Sequence, residues 1–275
     1  MKPRPPFNPL LLAFGLCAGL LGAATPARAQ GQTPAQRAAA TTTAPAQRGP
    51  SDTVRAFHQA LRERRFREAF ALSVLNYAVR ELSAEEFDDF KTDFERIAAG
   101  VPATDRLTGE QVSGEEATVF MNFGDETKPD IKPVELVRQD GAWIVGSRQD
   151  LDTVKKGGKK FLFEARIETH HAEVKALLER IHAAQFIYSS QHGGTYGDMS
   201  QLISAGLVPQ DLLGTETTGY RFRVALGKDA KSWAAFAEPA RHNRTGRLSF
   251  YRDPSGLQSK DTGGKPLKPS STPKQ

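Results

Sequence analysis

Residues 161–208 read FLFEARIETHHAEVKALLERIHAAQFIYSSQHGGTYGDMSQLISAGLV, and this stretch decides the fold expected for the C-terminal half of the chain. Its apolar side chains recur every three or four positions between Ile167 and Tyr188, which is the pattern of a long amphipathic helix. The Gly-Gly pair at 193–194 then ends the helix. A short second helix is expected at 199–206. The stretch therefore predicts a helical spine for a domain of its own.

The residues after this spine alternate between apolar and polar, as strands do. Strands are expected at 220–226, 232–237 and 248–251, with a short return strand at 257–259. The turn signal Asp253-Pro254-Ser255-Gly256 precedes the return strand. Residues 161–257 are thus expected to form a long helix packed on a small antiparallel sheet.

A different pattern occupies residues 51–150. Apolar residues at helical spacing predict three helices, the third of which begins with a capping box of Ser83 and Glu86. Period-two segments then predict four strands at 107–112, 117–123, 133–138 and 142–147. The order indicates helices on one face of a curved antiparallel sheet. The expected fold class is therefore α+β, with two small domains.

Composition and charge are those of a globular chain of one or two domains: 275 residues with 39% hydrophobic and 25% charged residues. Residues 1–50 carry five basic side chains and no acidic one, residues 51–150 have a net charge of −7, and residues 151–275 have a net charge of +7. The basic part is either a binding face for an anionic surface or the solvated surface of a domain. Aromatic residues do not alternate with its basic ones, so no nucleic-acid partner is expected.

The N-terminus is typical of a secretory signal peptide at residues 1–29. Basic residues precede the apolar run Leu10 to Ala24, and Ala27-Arg28-Ala29 forms a small-x-small cleavage site. The mature protein is then expected in the bacterial periplasm or the medium without a stable membrane span. An uncleaved anchor is the alternative. A disordered Ala/Thr/Pro/Gln linker is expected at 30–50, and a disordered basic tail at 258–275.

The 51–150 segment resembles the nuclear-transport-factor-2-like superfamily in its short bacterial secreted form. The resemblance rests on three stretches, TVRAFHQAL at 53–61, Phe70-Ala71-Leu72, and DGAWIV at 140–145. It implies a cone-shaped sheet that can enclose a pocket, in which some members place an Asp or His as a general base. The candidate ligand-pocket residues are His58, Tyr77 and Trp143.

Residues 151–160 form a basic connector. Four of its residues are candidates for contact with an anionic surface: Lys155, Lys156, Lys159 and Lys160. A phosphate loop is not predicted, because the full Gly-x4-Gly-Lys-Ser/Thr pattern is missing. A hydrated hinge between the domains is the alternative.

The second domain resembles the globular head of type IV pilins and type II secretion pseudopilins. The resemblance is carried by AAQFIY at 183–188, Gly194-Thr195-Tyr196, TGYRF at 218–222, GRLSFY at 246–251 and the turn at 253–256. The apolar N-terminal half-helix of those proteins is missing here, so the resemblance implies only the soluble head. It also implies possible partners: other exported proteins or pilin-type subunits.

Histidines at 170, 171, 182 and 192 raise the question of a metal site, but their spacing does not match a metal-ligand motif, and surface or helix-packing positions are expected for them. No catalytic residue, metal ligand or cofactor is predicted. The expected function is therefore that of an exported, non-enzymatic binding or interaction protein. The alternatives are a ligand carrier or enzyme that uses a pocket in 51–150, and an accessory component of a type IV pilus or type II secretion system.

Overall fold

The computed structural model describes residues 48–267 with gaps at 126 and 216–217. The predicted signal peptide, most of the predicted linker and residues 268–275 lie outside the described residues. The helices within them are α1 Pro50–Arg62, α2 Phe66–Ala71, α3 Asn76–Val79, α4 Ala84–Asp89, α5 Lys91–Ala99, α6 Arg148–Gly157, α7 Lys159–Gln191 and α8 Met199–Ser204.

Two antiparallel sheets alternate with the helices in the order that the sequence predicts: the first follows α5 and the second follows α8. The first contains β1 Leu107–Ser113, β2 Glu116–Asn122, β3 Ile131–Gln139 and β4 Ala142–Val145 as a meander. The second contains β5 Tyr220–Leu226, β6 Trp233–Pro239, β7 Leu248–Asp253 and β8 Gly256–Asp261, again as a meander. The predicted α+β class with two sheet-bearing regions is confirmed.

The chain forms two compact units. One contains residues 77–95 and 154–267 and is called the C-terminal unit, and the other contains residues 48–76 and 96–153 and is called the N-terminal unit. This division differs from the boundary expected near residue 150, because α4 and the start of α5 belong with the second sheet. Residues 151–160 also differ from a loose connector, since they lie in α6 and at the start of α7.

In the N-terminal unit, α1 packs against β2 and β4. Its apolar face buries Val54, Phe57 and Leu61, and the sheet contributes Val119 and Leu136. These positions follow the helical and period-two patterns of the sequence. By contrast, β1 exposes nearly all of its side chains, as an edge strand with solvent on both faces does.

In the C-terminal unit, α7 lies on β6 and β7. Its buried positions Val174, Leu178 and Ile181 pack in one core with Trp233 and Phe250. The helix ends at Gln191 with His192 as its C-cap, and two glycines with positive φ follow. The region predicted as a disordered tail begins inside β8, and the Ser249 hydroxyl donates to the Lys265 carbonyl, so the first part of that region is ordered.

No helix among the described residues combines the length and apolar character that crossing a bilayer requires.

Candidate functional site

A cleft of about 430 Å³ opens on the C-terminal unit. We call it the cationic cleft, since four of its eight lining residues are basic. The lining residues are Glu86, Lys159, Lys160, Phe163, Glu164, Asn243, Arg244 and Arg247. Its volume lies within the range of sites for small organic molecules, about 300–1,000 Å³.

One wall of the cleft is the first two turns of α7. A helix turns about once per 3.6 residues, so positions 159, 160, 163 and 164 share a face. The left-handed backbone at Gly158, with φ of 53°, separates α7 from α6. There the Glu81 carboxylate accepts from the backbone N–H of Lys159 at 2.8 Å. This wall is therefore fixed at the point where the helix begins.

The opposite wall is the loop between β6 and β7, and two histidines of α7 hold it. The Nδ1–H of His170 donates to the Thr245 carbonyl at 2.7 Å, because a carbonyl only accepts. The Nε2 of His171 accepts from the backbone N–H groups of Arg247 and Leu248, both at 3.2 Å. Both rings are buried, so of the two expected placements the surface one is wrong for them and the helix-packing one applies. They fix the loop that carries the cleft's two arginines.

Acidic side chains pair with three of the four cations in the cleft. Glu86 accepts from Lys159 at 3.0 Å and from Arg244 at 3.1 Å, and Glu164 accepts both its bonds from Arg247 at 2.7 and 2.9 Å. The hydrogen bond from the Ser83 backbone, together with Lys159 and Arg244, lowers the pKa of Glu86 to about 2. Glu86 is therefore ionised at neutral pH.

Lys160 is the exception, because its exposed ammonium has no ion-pair or hydrogen-bond partner among residues 48–267 that the structure describes. Four positive charges face two negative ones, so the cleft carries an excess of two positive charges. Beside this charge the Phe163 ring is stacked under the Arg244 guanidinium, with 4.6 Å between them. The cleft thus joins a cationic surface to one apolar wall.

Beneath the cleft, a buried ion pair joins α7 to the acidic helices. Arg166 donates to Asp93 at 2.8 Å and to Asp89 at 3.0 Å, and its guanidinium lies 3.5 Å from the centre of the Phe90 ring. Asp89 also pairs with Arg241. In the sequence, Asp88, Asp89 and Asp93 fall between the apolar positions of the third predicted helix, which predicts a solvated face for them. For Asp89 and Asp93 this is wrong, because their carboxylates balance a guanidinium inside the unit.

The structure divides the four lysines proposed for anion contact. Lys159 and Lys160 line the cationic cleft. Lys155 instead lies 4.7 Å from the centre of the Tyr77 ring, and Lys156 is exposed on α6 without lining the cleft. Reasoning from the sequence missed the two cleft arginines, although the run RHNRTGR at 241–247, with three arginines in seven residues, was a visible signal.

The candidate pocket residues of the first domain are not joined by any described contact. Tyr77 lies in α3 within the C-terminal unit, where Arg80 also covers its ring. Trp143 lies in β4 opposite Arg138 and is partly exposed. His58 is fully buried in α1 of the N-terminal unit. These residues therefore do not form one described site.

His58 nevertheless belongs to a charged cluster. Its Nδ1–H donates to Asp105 at 2.7 Å, and Arg62 donates to both oxygens of the same carboxylate at 3.1 and 3.0 Å. Burial raises the pKa of Asp105, but the bonds from His58 and Arg62 outweigh burial and lower it to about 2. The buried Nε2 of His58 has no hydrogen-bond partner in the described part of the chain.

Metal ligation is not supported among the described residues, which contain no group of three or more His, Cys, Asp or Glu side chains able to hold an ion. Comparison of the chain with models of protein families, with curated proteins and with solved structures finds no match.

Proposed function

We propose that this protein is an exported, non-enzymatic binding protein that holds an anionic ligand in the cationic cleft. The observation that carries the proposal is the excess of two positive charges in the cleft, which includes the unpaired ammonium of Lys160. Cations in a concave site raise the local concentration of anions and pair with them directly. The non-enzymatic part of the proposal is supported by the pairing of both carboxylates in the cleft with basic side chains, which leaves neither of them free to act as a general base.

A titration followed by NMR tests the proposal. Sulfate is added to the ¹⁵N-labelled full chain at constant ionic strength, and the amide signals of Phe163, Asn243 and Arg244 are followed. We expect saturable shifts at these residues. Lys160→Glu should weaken the binding about tenfold or more, because it replaces an attractive charge by a repulsive one.

Lys228→Glu is the matched control. Lys228 is exposed, does not line the cleft, and the substitution changes the net charge of the chain by the same amount. Sulfate binding should change less than twofold in this variant. Equal weakening by the two substitutions would show that only the net charge matters, and the proposal would be wrong.

Export is the part of the proposal that rests on residues 1–29 alone. Cleavage after Ala29 would leave Gln30 as the first residue of the mature protein. Mass spectrometry of the protein recovered from the periplasm of an expressing bacterium tests this. A full-length mass, or a cytoplasmic location, would contradict it.

A ligand site in the N-terminal unit is the second candidate function, since the buried Nε2 of His58 has no partner while Asp105 orients the ring. A carboxylate-oriented imidazole with a free nitrogen is the arrangement that a general base requires. Native mass spectrometry of the purified protein separates the two candidates. A bound molecule that is lost in His58→Leu but retained in Lys160→Glu would favour the N-terminal site.

A further inference from the structure

Every side-chain oxygen that lines the cationic cleft already accepts at least one hydrogen bond. Both carboxylate oxygens of Glu86 accept from neighbouring side chains or backbone, and both oxygens of Glu164 accept from Arg247. The side-chain oxygen of Asn243 accepts from the Arg247 Nε at 3.0 Å. A ligand that donates hydrogen bonds, such as a sugar or an amine, would have to share each of these oxygens with a group that already donates to it.

Donors, by contrast, remain available. The ammonium of Lys160 and the amide nitrogen of Asn243 have no acceptor among the described residues. The Arg244 guanidinium uses one nitrogen for Glu86, and its other nitrogens donate to no described oxygen. Three donor groups from two elements thus face a single cleft.

We propose that the ligand of the cationic cleft is an organic phosphomonoester, held through its dianionic phosphate. This inference rests on the proposed function, that the cleft binds an anion. A phosphomonoester at neutral pH carries nearly two negative charges and three oxygens that only accept hydrogen bonds, which matches both the charge excess and the free donors. A carboxylate or a phosphodiester supplies only one charge. The volume of about 430 Å³ leaves room beside Phe163 for the organic part of the ligand.

The test compares three probes by NMR titration of the full chain at pH 7.5 and constant ionic strength. The probes are glycerol 3-phosphate, dimethyl phosphate and sulfate. Glycerol 3-phosphate should bind about five- to tenfold more tightly than dimethyl phosphate, because it brings a second charge to a partly exposed site. Lys160→Glu and Asn243→Asp should each weaken it, and Lys228→Glu should not.

The charge of the ligand is tested separately through pH. The second pKa of a phosphomonoester is about 6, so its affinity should fall several-fold between pH 7.5 and 5. Sulfate stays dianionic, and Glu86 with its pKa of about 2 stays ionised, so the affinity for sulfate should hold over the same range. If the affinities for both probes fell in parallel, the group that titrates would belong to the protein and not to the phosphate, and the inference would be overturned.

Vesicles distinguish a lipid source of the phosphomonoester from a soluble one. Phosphatidylcholine vesicles with phosphatidic acid carry the group, and vesicles with phosphatidylglycerol carry a diester instead. Co-sedimentation with the former alone indicates a lipid ligand. Saturable binding of glycerol 3-phosphate without co-sedimentation indicates a soluble one. Both results support a phosphomonoester.

The two proposals fail in different ways. If dimethyl phosphate binds as tightly as glycerol 3-phosphate and Lys160→Glu weakens both, the cleft still binds anions but the phosphomonoester inference is overturned. If none of the three probes shifts the cleft signals, both proposals fall.

Discussion

Arg166 in α7 donates from its Nε to the carboxylate of Asp93 in α5 at 2.8 Å, although only 3% of the arginine side chain is exposed. A buried charge needs its partner, because desolvation makes it costly to leave alone. The acidic stretch 77–95, with seven acidic and two basic residues, thereby neutralises part of the basic C-terminal unit.

Arg166→Met should destabilise the protein by about 2–4 kcal/mol, because it leaves the carboxylate of Asp93 without its partner while keeping a long apolar stem. The urea midpoint measured by circular dichroism reports the change. Lys175→Met is the matched control on the same helix, since Lys175 is exposed, and it should cost less than about 0.5 kcal/mol. Equal urea midpoints for the two variants would mean that the buried ion pair does not contribute to stability.

Local pattern predicted the elements of this fold but not all of their partners. The spacing of Val174, Leu178 and Ile181 identified α7, and period-two alternation located both sheets, because these signals lie within each segment. The membership of 77–95 in the C-terminal unit depends on pairs such as Arg166 with Asp89, more than 70 residues apart. No local pattern encodes such a pair.

Only part of the cationic cleft was predictable, because some of its residues give a local signal in the sequence and others reach it through contacts between distant residues. Lys159 and Lys160 stood out as consecutive charges, whereas Arg244 and Arg247 reach the cleft only because His170 and His171 hold their loop. Histidine is intermediate in its preference for burial, so residue type alone could not decide whether those histidines lie at the surface or in packed positions.

Gly246→Ala tests the tight packing of this loop. A Cβ at this position would overlap the hydroxyl of Tyr220, which is fully buried and donates to the Leu248 carbonyl at 2.9 Å. The Tyr220 ring is fully buried and cannot move aside without displacing its neighbours, so we expect a loss of about 1–3 kcal/mol in the free energy of unfolding. Urea denaturation measures it.

Gly109→Ala is the control for that substitution, because its Cβ would meet only the Phe120 ring at an ordinary 3.7 Å. Its midpoint should stay within about 1 kcal/mol of the unmodified protein. A Gly246→Ala protein that is equally stable, and whose Arg244 amide signal is unchanged, would contradict the packing argument.

His171 should make stability depend on pH. Burial, followed by the charges of Lys175 and Arg247, lowers its pKa from 6.5 to about 4. The unfolded chain therefore takes up the proton first, so this contribution is complete above pH 6.5 and is lost as pH falls toward 4. Protonation of His171 would also place an N–H at Nε2, opposite the backbone N–H groups of Arg247 and Leu248 that now donate hydrogen bonds to it.

His171→Gln isolates this effect, since the glutamine oxygen accepts the same bonds but does not titrate. Between pH 7 and 4.5 the free energy of unfolding should fall less in this variant than in the unmodified protein, by about 1–2 kcal/mol. Identical profiles for His171→Gln and the unmodified protein would show that the ring does not titrate in this range.

Asp105 provides the corresponding test in the N-terminal unit. Asp105→Asn removes the charge that pairs with Arg62 and His58, and we expect a loss of about 2 kcal/mol at pH 7. The pKa of this carboxyl is lowered to about 2, so its contribution is complete above the unfolded value of 3.8 and is lost as pH falls toward 2. The difference in the free energy of unfolding between the two proteins, measured with urea, should therefore narrow below pH 4.

Asp52→Asn is the control, since Asp52 forms an exposed pair with Arg55, and it should cost less than about 0.5 kcal/mol. An equal cost for both variants would rule out a stabilising cluster around His58.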